Sequence, residues 1–172
     1  LLDEEGREVP QGEIGEVVGT SMAIMNGYYK RPDKTAAAEW FDANGTRYMR
    51  TGDVGRFDAD GFLTLMDRKK DMIISGGFNV YPSDLEAELA QHPDVLEAAV
   101  VGVPSREWGE TPVAFVVLKP GAAAAAEDLR AWTNARVGKT QRLSALKVVE
   151  QLPRSAIGKI LKRELRDSYV AG

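Results

Sequence analysis

Residues 67–86, DRKKDMIISGGFNVYPSDLE, decide how this chain is read. Five consecutive charges (Asp67, Arg68, Lys69, Lys70, Asp71) give way to a short apolar strand at 72–75, a glycine pair and a second run at 78–81. A charge run of this kind is commonly a solvated turn. Here it also stands at a shift in composition, so a domain hinge is the competing reading. Ser75-Gly76-Gly77 resembles a phosphate loop only loosely, and the G-x-x-x-x-G-K-[ST] pattern is absent from the whole chain, which excludes a Walker-type site. Paired glycines between strands also mark a backbone that something narrow approaches closely. Pro82-Ser83 opens a helix, with Ser83-x-x-Glu86 as a capping box and Leu85 and Leu89 as its apolar stripe.

Upstream of that stretch the chain reads as β-rich. Residues 12–20 (GEIGEVVGT) are bounded by glycines and carry β-branched Ile14, Val17 and Val18, as a strand does. Residues 35–41 (TAAAEWF), after Pro32, predict a short helix on their three alanines. Asn44-Gly45 and Asp60-Gly61 predict two hairpins, with Arg56-Phe57 and residues 62–66 flanking the second. A strand at 47–50 ends at Thr51-Gly52-Asp53, a tripeptide that reads either as a structural Asx-turn or as a carboxylate placed to accept ribose hydroxyls.

Downstream, strands are predicted at 95–103 and 112–118, and a helix at 127–137 closed by Gly138. A last strand at 147–150 and a final helix at 158–169, with Leu161, Leu165 and Tyr169 on one face, complete the pattern. Strands and helices interleave without regular βαβ spacing, so the expected fold class is α+β.

The chain has 172 residues, 44% hydrophobic and 28% charged, which is globular composition. With no cysteine and one histidine (His92), disulfides, thiolate nucleophiles and multi-histidine metal sites are excluded. The net charge of −4 is unevenly spread. Residues 1–66 hold 7 Lys+Arg against 12 Asp+Glu, whereas residues 130–166 hold 10 basic residues against Glu150 and Glu164 alone. Such a local basic field in an acidic protein suggests a polyanionic ligand arriving at one place, not nucleic acid, which the rest of the surface would repel. No apolar run approaches a membrane span, and no signal peptide is evident, so a cytoplasmic location is expected. The chain lacks an initiator Met and begins within an element, as a piece of a longer protein would.

Three further positions attract attention. Lys159 follows Gly158 at or just before the final helix, where a cation opposes the macrodipole. It is either a solvated basic residue or a neutraliser of phosphate and carboxylate on a glycine-flanked loop. Trp108, in the polar loop Arg106-Glu107-Trp108-Gly109-Glu110, is either a stacking platform or a half-buried packing residue. Arg142 lies within GKTQRL at 138–143.

The order of motifs is more specific than any one of them. GEIGEVV at 12–18, Gly27-Tyr28-Tyr29, Thr35, YMRTGDVGR at 48–56, Asp60-Gly61, the charge run at 67–71, GGFNVYPSDLE at 76–86 and LPRSAIGKILKREL at 152–165 follow in succession. This string closely resembles the C-terminal third of the class I adenylate-forming enzymes: acyl-CoA synthetases, peptide-synthetase adenylation domains and luciferases. The resemblance implies that residues 1–66 are the β-rich end of a large AMP-binding domain, 67–70 a hinge and 71–172 a small α+β C-terminal lid. It implies that Asp53 holds the ATP ribose, that Arg68 lies near the same nucleotide, that Lys70 is the pivot and that Lys159 is the catalytic lysine of adenylation. Gly76 and Gly77 would line the pantetheine tunnel, with Trp108 and Arg142 near CoA.

ATP and CoA are then co-substrates beside a carboxylic acid, fatty or aromatic, and Mg2+ is expected with ATP, though no ligand for it is assigned in this chain. The remaining parts of the active site would lie in a missing N-terminal domain, so the isolated chain is expected to be inactive in adenylation. Two alternatives stand beside acyl-CoA ligation: an adenylation module that loads a carrier protein, and a non-catalytic module that binds CoA or a carrier.

Overall fold

The computed structural model describes residues 1–170, so Ala171 and Gly172, the end of the expected lid, lie outside the described residues. The chain divides into two compact units, Leu1–Lys70 and Asp71–Gly172.

In the first unit, β1 (Ile14–Gly19), β2 (Glu39–Phe41), β3 (Arg47–Phe57) and β4 (Leu63–Arg68) form one antiparallel sheet. The long β3 is its axis. Strand β1 lies along one edge of β3, and β2 and β4 pair with its two ends on the other. Both expected hairpins are present, with Gly45 and Gly61 at φ +78° and +84°, the left-handed region that glycine enters without steric cost. The alanine-rich helix α1 spans Pro32–Ala38 with proline in its first turn. It stops short of the expected Phe41 because Glu39, Trp40 and Phe41 pair with Met49, Tyr48 and Arg47. The Trp40 indole also donates to the Gly6 carbonyl at 2.8 Å. Long-range pairing overrides local propensity there.

Strand β3 does not end at Arg50. Val18 pairs with Arg50 and Glu16 with Val54, so Thr51, Gly52 and Asp53 together oppose Val17. This is a bulge within a continuing strand. Gly52 takes φ +72°, while the Thr51 hydroxyl donates to the Val17 carbonyl at 2.9 Å and accepts from the Asp53 N–H at 3.0 Å.

The second unit is built on a five-stranded sheet. Its strands are β5 (Ile73–Ser75), β6 (Phe78–Val80), β7 (Val95–Ser105), β8 (Gly109–Leu118) and β9 (Ala145–Val148), in the order β6-β5-β8-β7 with β9 also on β8. Three helices cover it: α2 (Pro82–Ala90), α3 (Ala126–Asn134) and α4 (Lys162–Val170). Alternate residues of β7 and β8 enter two separate cores. Val100, Ala114 and Val116 meet Leu85 and Leu89 of α2 and Leu129 of α3. Ala99, Val101, Val113 and Phe115 meet Leu165 of α4. Burial on both faces explains why these strands read as near-continuous apolar runs. The α+β class is as expected, with β9 parallel to β8 and the other paired strands antiparallel.

Three local expectations need correction. The N-cap of helix α2 is Tyr81, two residues before the expected Ser83, with Pro82 in the first turn. The Glu86 carboxylate accepts from the Val100 N–H at 2.8 Å and pairs with Lys162 at 2.8 Å, so it stitches α2 to β7 and α4. Helix α3 ends at Asn134, and Gly138, at φ −63°, opens a short 3-10 turn, Lys139–Gln141, instead of closing a helix. Helix α4 starts at Lys162, three residues beyond Lys159. The macrodipole therefore does not bear on Lys159, whose loop is held by its own hydrogen bonds.

Candidate functional site

Asp53 is the last residue of the bulge in β3. On the opposite edge of β3 from the bulge, Asp53 is the cross-strand partner of Arg68 on β4, and the Arg68 Nη1 lies 2.6 Å from the Asp53 Oδ1. The same Nη1 lies 3.4 Å from the Thr51 carbonyl. The two nucleotide-binding residues expected from sequence, fifteen positions apart, thus form one half-exposed ion pair. A carboxylate oriented this way can accept hydroxyl groups, which is the chemistry of ribose recognition.

Next to it lies a cluster that sequence reading missed. The Glu16 side chain is only 7% exposed and faces two cations, Lys69 Nζ at 3.0 Å and Arg50 Nε at 3.7 Å. The Arg50 Nε is buried and, among the described residues, makes no hydrogen bond. Lys69 therefore anchors the charge run to β1 of its own unit, and Lys70, exposed, is the last residue of that unit. Glu16 was hidden because it sits in a strand whose alternation would have placed a charge outside.

In the second unit, Ser75, Trp108, Arg130, Lys139, Arg142 and Ser144 are among the residues lining a cavity of about 360 Å³. Gly76 and Gly77 form the two-residue turn between β5 and β6 at φ +59° and +82°, a type I′ geometry that glycine favours. Gly76 also donates its N–H to the Trp108 carbonyl at 2.8 Å, and the Trp108 ring covers its Cα. A Cβ on Gly76 would meet the ring at 2.6 Å, whereas one on Gly77 would meet nothing within 4 Å. Trp108 is thus a packing residue and a cavity wall at once.

The other wall is the segment around Arg142. Asn134 of α3 clamps Leu143 through two hydrogen bonds, Nδ2 to its carbonyl at 3.0 Å and its N–H to Oδ1 at 2.8 Å. Arg130 is paired with Glu127, and their hydrogen bond holds the Glu127 carboxyl below the usual range and raises Arg130.

Lys159 stands on a tight loop. Ser155 donates its N–H to the Lys159 carbonyl at 2.8 Å, and its hydroxyl accepts from the Lys159 N–H at 3.2 Å. Gly158, at φ +81°, closes the turn onto the Ser155 carbonyl. The Lys159 side chain is exposed.

Ion pairing sharpens the basic window at 130–166. Arg130, Arg136, Arg154, Lys162 and Arg163 pair with Glu127, Glu88, Glu97, Glu86 and Asp167. Arg166 donates to the Gly102 carbonyl, and Lys147 lies over the Tyr169 ring. Among the described residues, Lys139, Arg142 and Lys159 have no acidic partner. Lys139 was overlooked in the sequence, although its spacing of three from Arg142 across a 3-10 turn was available as a signal. Among the described residues, no group of three or more His, Cys, Asp or Glu could hold a metal ion. No described helix is long and apolar enough to cross a membrane.

Comparison with known proteins agrees with this picture. Residues 84–159 match the AMP-binding enzyme C-terminal domain. The 2-succinylbenzoate–CoA ligase of Geobacillus kaustophilus (strain HTA426) is 44% identical over 94% of this chain and 32% of its own length. A fatty acid–[acyl-carrier-protein] ligase, ScoC, of Streptomyces coeruleorubidus is 40% identical over 98% of this chain and 32% of its own. The crystal structure of ATP-bound MatB from Rhodopseudomonas palustris superimposes with a TM-score of 0.89 at 34% identity, covering 98% of this chain and 33% of that one. The chain thus spans about a third of the length of the relatives it matches. Motif order, fold and sequence identity agree: this chain belongs to the adenylate-forming enzymes and carries, at residues 84–159, their C-terminal domain.

Proposed function

We propose that the chain is the C-terminal part of an ATP-dependent ligase that joins a carboxylic acid to CoA through an acyl-adenylate. The observation that carries this reading is the isolation of three cations from a basic window of ten, two of them sharing a cavity with an indole. Lys139 and Arg142 suit phosphate groups, and Trp108 suits the nucleotide or the thin pantetheine arm beside Gly76 and Gly77. Lys159, on its separate loop, is the adenylation lysine.

The chemistry explains the division of labour. In the first step a carboxylate oxygen attacks the α-phosphorus of ATP and pyrophosphate leaves. Two anions must meet, and a cation touching both lowers that barrier electrostatically. In the second step the CoA thiol loses its proton, its sulfur attacks the acyl carbon and AMP leaves. That step needs the lysine withdrawn and a thiol path opened, which rotation of a lid achieves. In this reading residues 1–66 complete the large domain, 67–70 form the hinge with Lys70 as pivot, and 71–172 are the lid. Asp53 and Arg68 hold the ribose side of ATP. Mg2+ accompanies ATP, and no ligand for it is assigned in this chain. The acid is fatty or aromatic, and the reaction is cytoplasmic.

The test is pyrophosphate release with ATP and a panel of carboxylic acids. The full-length ligase releases it with its own acid and the isolated chain with none; turnover by the isolated chain would overturn the reading. Identity to a ligase named for an acyl carrier protein keeps a second reading in view. Offering the adenylated enzyme CoA and a carrier protein in competition separates the two, because only CoA carries an adenosine 3′-phosphate and a diphosphate for Lys139 and Arg142, whereas a carrier's pantetheine arm has a single phosphodiester.

A further inference from the structure

We propose that Arg154 is a positioning residue for Lys159, bracing the lysine loop against strand β7 through Glu97; this rests on the reading of Lys159 as the adenylation lysine. The Arg154 Nη1 donates to the Gly158 carbonyl at 2.7 Å, and its Nη2 donates to the Glu97 carboxylate at 2.8 Å. One planar guanidinium therefore joins the residue directly before Lys159 to Glu97 on the sheet, 57 positions before Arg154 itself. Arginine suits this task because its donors diverge from a rigid plane, so both partners are fixed by one side chain.

The strand end is prepared for the contact. Val95 pairs with Leu118 and Glu97 with Val117, so Leu96 is an extra residue, and the bulge re-aims the side chains that follow. At the loop end, Arg154 also forms a bridge with Ile160, which closes the base of the turn on the far side of Lys159. The turn is thus tied at its base, by Ser155 at its centre and by Arg154 beside Gly158. Of these ties, only the Arg154–Glu97 pair connects the loop to the sheet through side chains. A lysine that must reach two reacting groups at once depends on such placement, since displacements near 1 Å cost about 100-fold in rate.

The brace acts on adenylation alone, because the second half-reaction proceeds with Lys159 withdrawn. The experiment uses the full-length ligase and measures two rates separately: acid-dependent ATP–pyrophosphate exchange, and thioester formation from supplied acyl-adenylate and CoA. Arg154→Ala lowers exchange about 10- to 100-fold and leaves thioester formation within about twofold of the parent. Glu97→Gln, which keeps the shape of the side chain, shifts exchange in the same direction by less. A lid that simply misfolds would lose both rates, so equal loss of both in each variant, or no loss in either, overturns the brace. Lys159→Ala is measured alongside. Exchange that survives Lys159→Ala defeats the underlying reading of Lys159, whereas exchange lost there but retained in Arg154→Ala defeats only the brace.

Discussion

The Trp108 ring lies over the backbone of Gly76, so close that a Cβ on that glycine would sit 2.6 Å from Cε3. The contact joins two loops, the β5–β6 turn and the β7–β8 connection, and it is reinforced by the hydrogen bond from Gly76 N–H to the Trp108 carbonyl at 2.8 Å. It gives the glycine pair a purpose within the fold itself. Gly76 makes room for an indole that also walls the basic cavity, while Gly77 answers only to the turn.

The two glycines are therefore expected to differ. Gly76→Ala must strain a left-handed backbone and displace a ring, a combined cost of about 2–4 kcal/mol. Gly77→Ala meets open space and costs about 1 kcal/mol for its backbone alone. Urea unfolding of both variants checks the order, and tryptophan emission should shift only in Gly76→Ala. Equal destabilisation would mean that the indole contact contributes little.

Lys139 and Arg142 make a prediction about ligand choice. A charge-assisted phosphate contact contributes about 1.5–3 kcal/mol, so in the full-length ligase Arg142→Ala should raise the KM for CoA about 10-fold or more. Lys139→Ala should act in the same direction, and neither should change the KM for ATP. Steady-state kinetics with each substrate varied in turn provides the check; an equal rise for ATP would remove these residues from the CoA site.

Glu16 makes a prediction about stability. Replacing it with Gln leaves Lys69 and the buried Arg50 Nε without their shared carboxylate. Both cations retain some solvent, at 37% and 28% side-chain exposure, which reduces the penalty of a broken buried pair to about 1–3 kcal/mol. By contrast Asp167→Asn, on the exposed pair with Arg163, should cost under about 0.5 kcal/mol. Denaturant midpoints for the two variants decide whether the buried cluster is the stronger tie.

The pivot assignment predicts unequal effects on the two half-reactions. Lys69 is tied to Glu16 through its side chain, and in the proposed reading rotation falls to the residue after it. Lys70→Pro fixes φ there and in the full-length ligase should slow thioester formation far more than adenylation. Rapid-quench measurement of both steps tests this, and equal loss of both would rule Lys70 out as the pivot.

Much of this protein was legible one segment at a time. Asn44-Gly45 and Asp60-Gly61 announced their hairpins because each supplies a glycine in the left-handed region that closes a tight turn onto Asp42 or Asp58. The apolar runs at 95–103 and 112–118 announced buried strands because burial on two faces leaves no polar positions. The order of motifs from GEIGEVV to LPRSAIGKILKREL was enough to identify the family without any coordinates.

What local reading could not supply were partners distant in the chain. Whether β3 stops at Arg50 depends on Val17 opposite it, and Asp53 meets Arg68 only once β4 is in register on the other edge. Glu86 looked like a cap until Val100 and Lys162 arrived beside it. The basic window looked uniform until carboxylates paired with five of its ten cations and a carbonyl and a ring engaged Arg166 and Lys147, leaving Lys139, Arg142 and Lys159. Residue types and local dihedral preferences are properties of a segment, and they determined the turns, the buried strands and the family. Which charge remains available to a ligand depends on pairing across the folded chain, so only the tertiary structure could decide it.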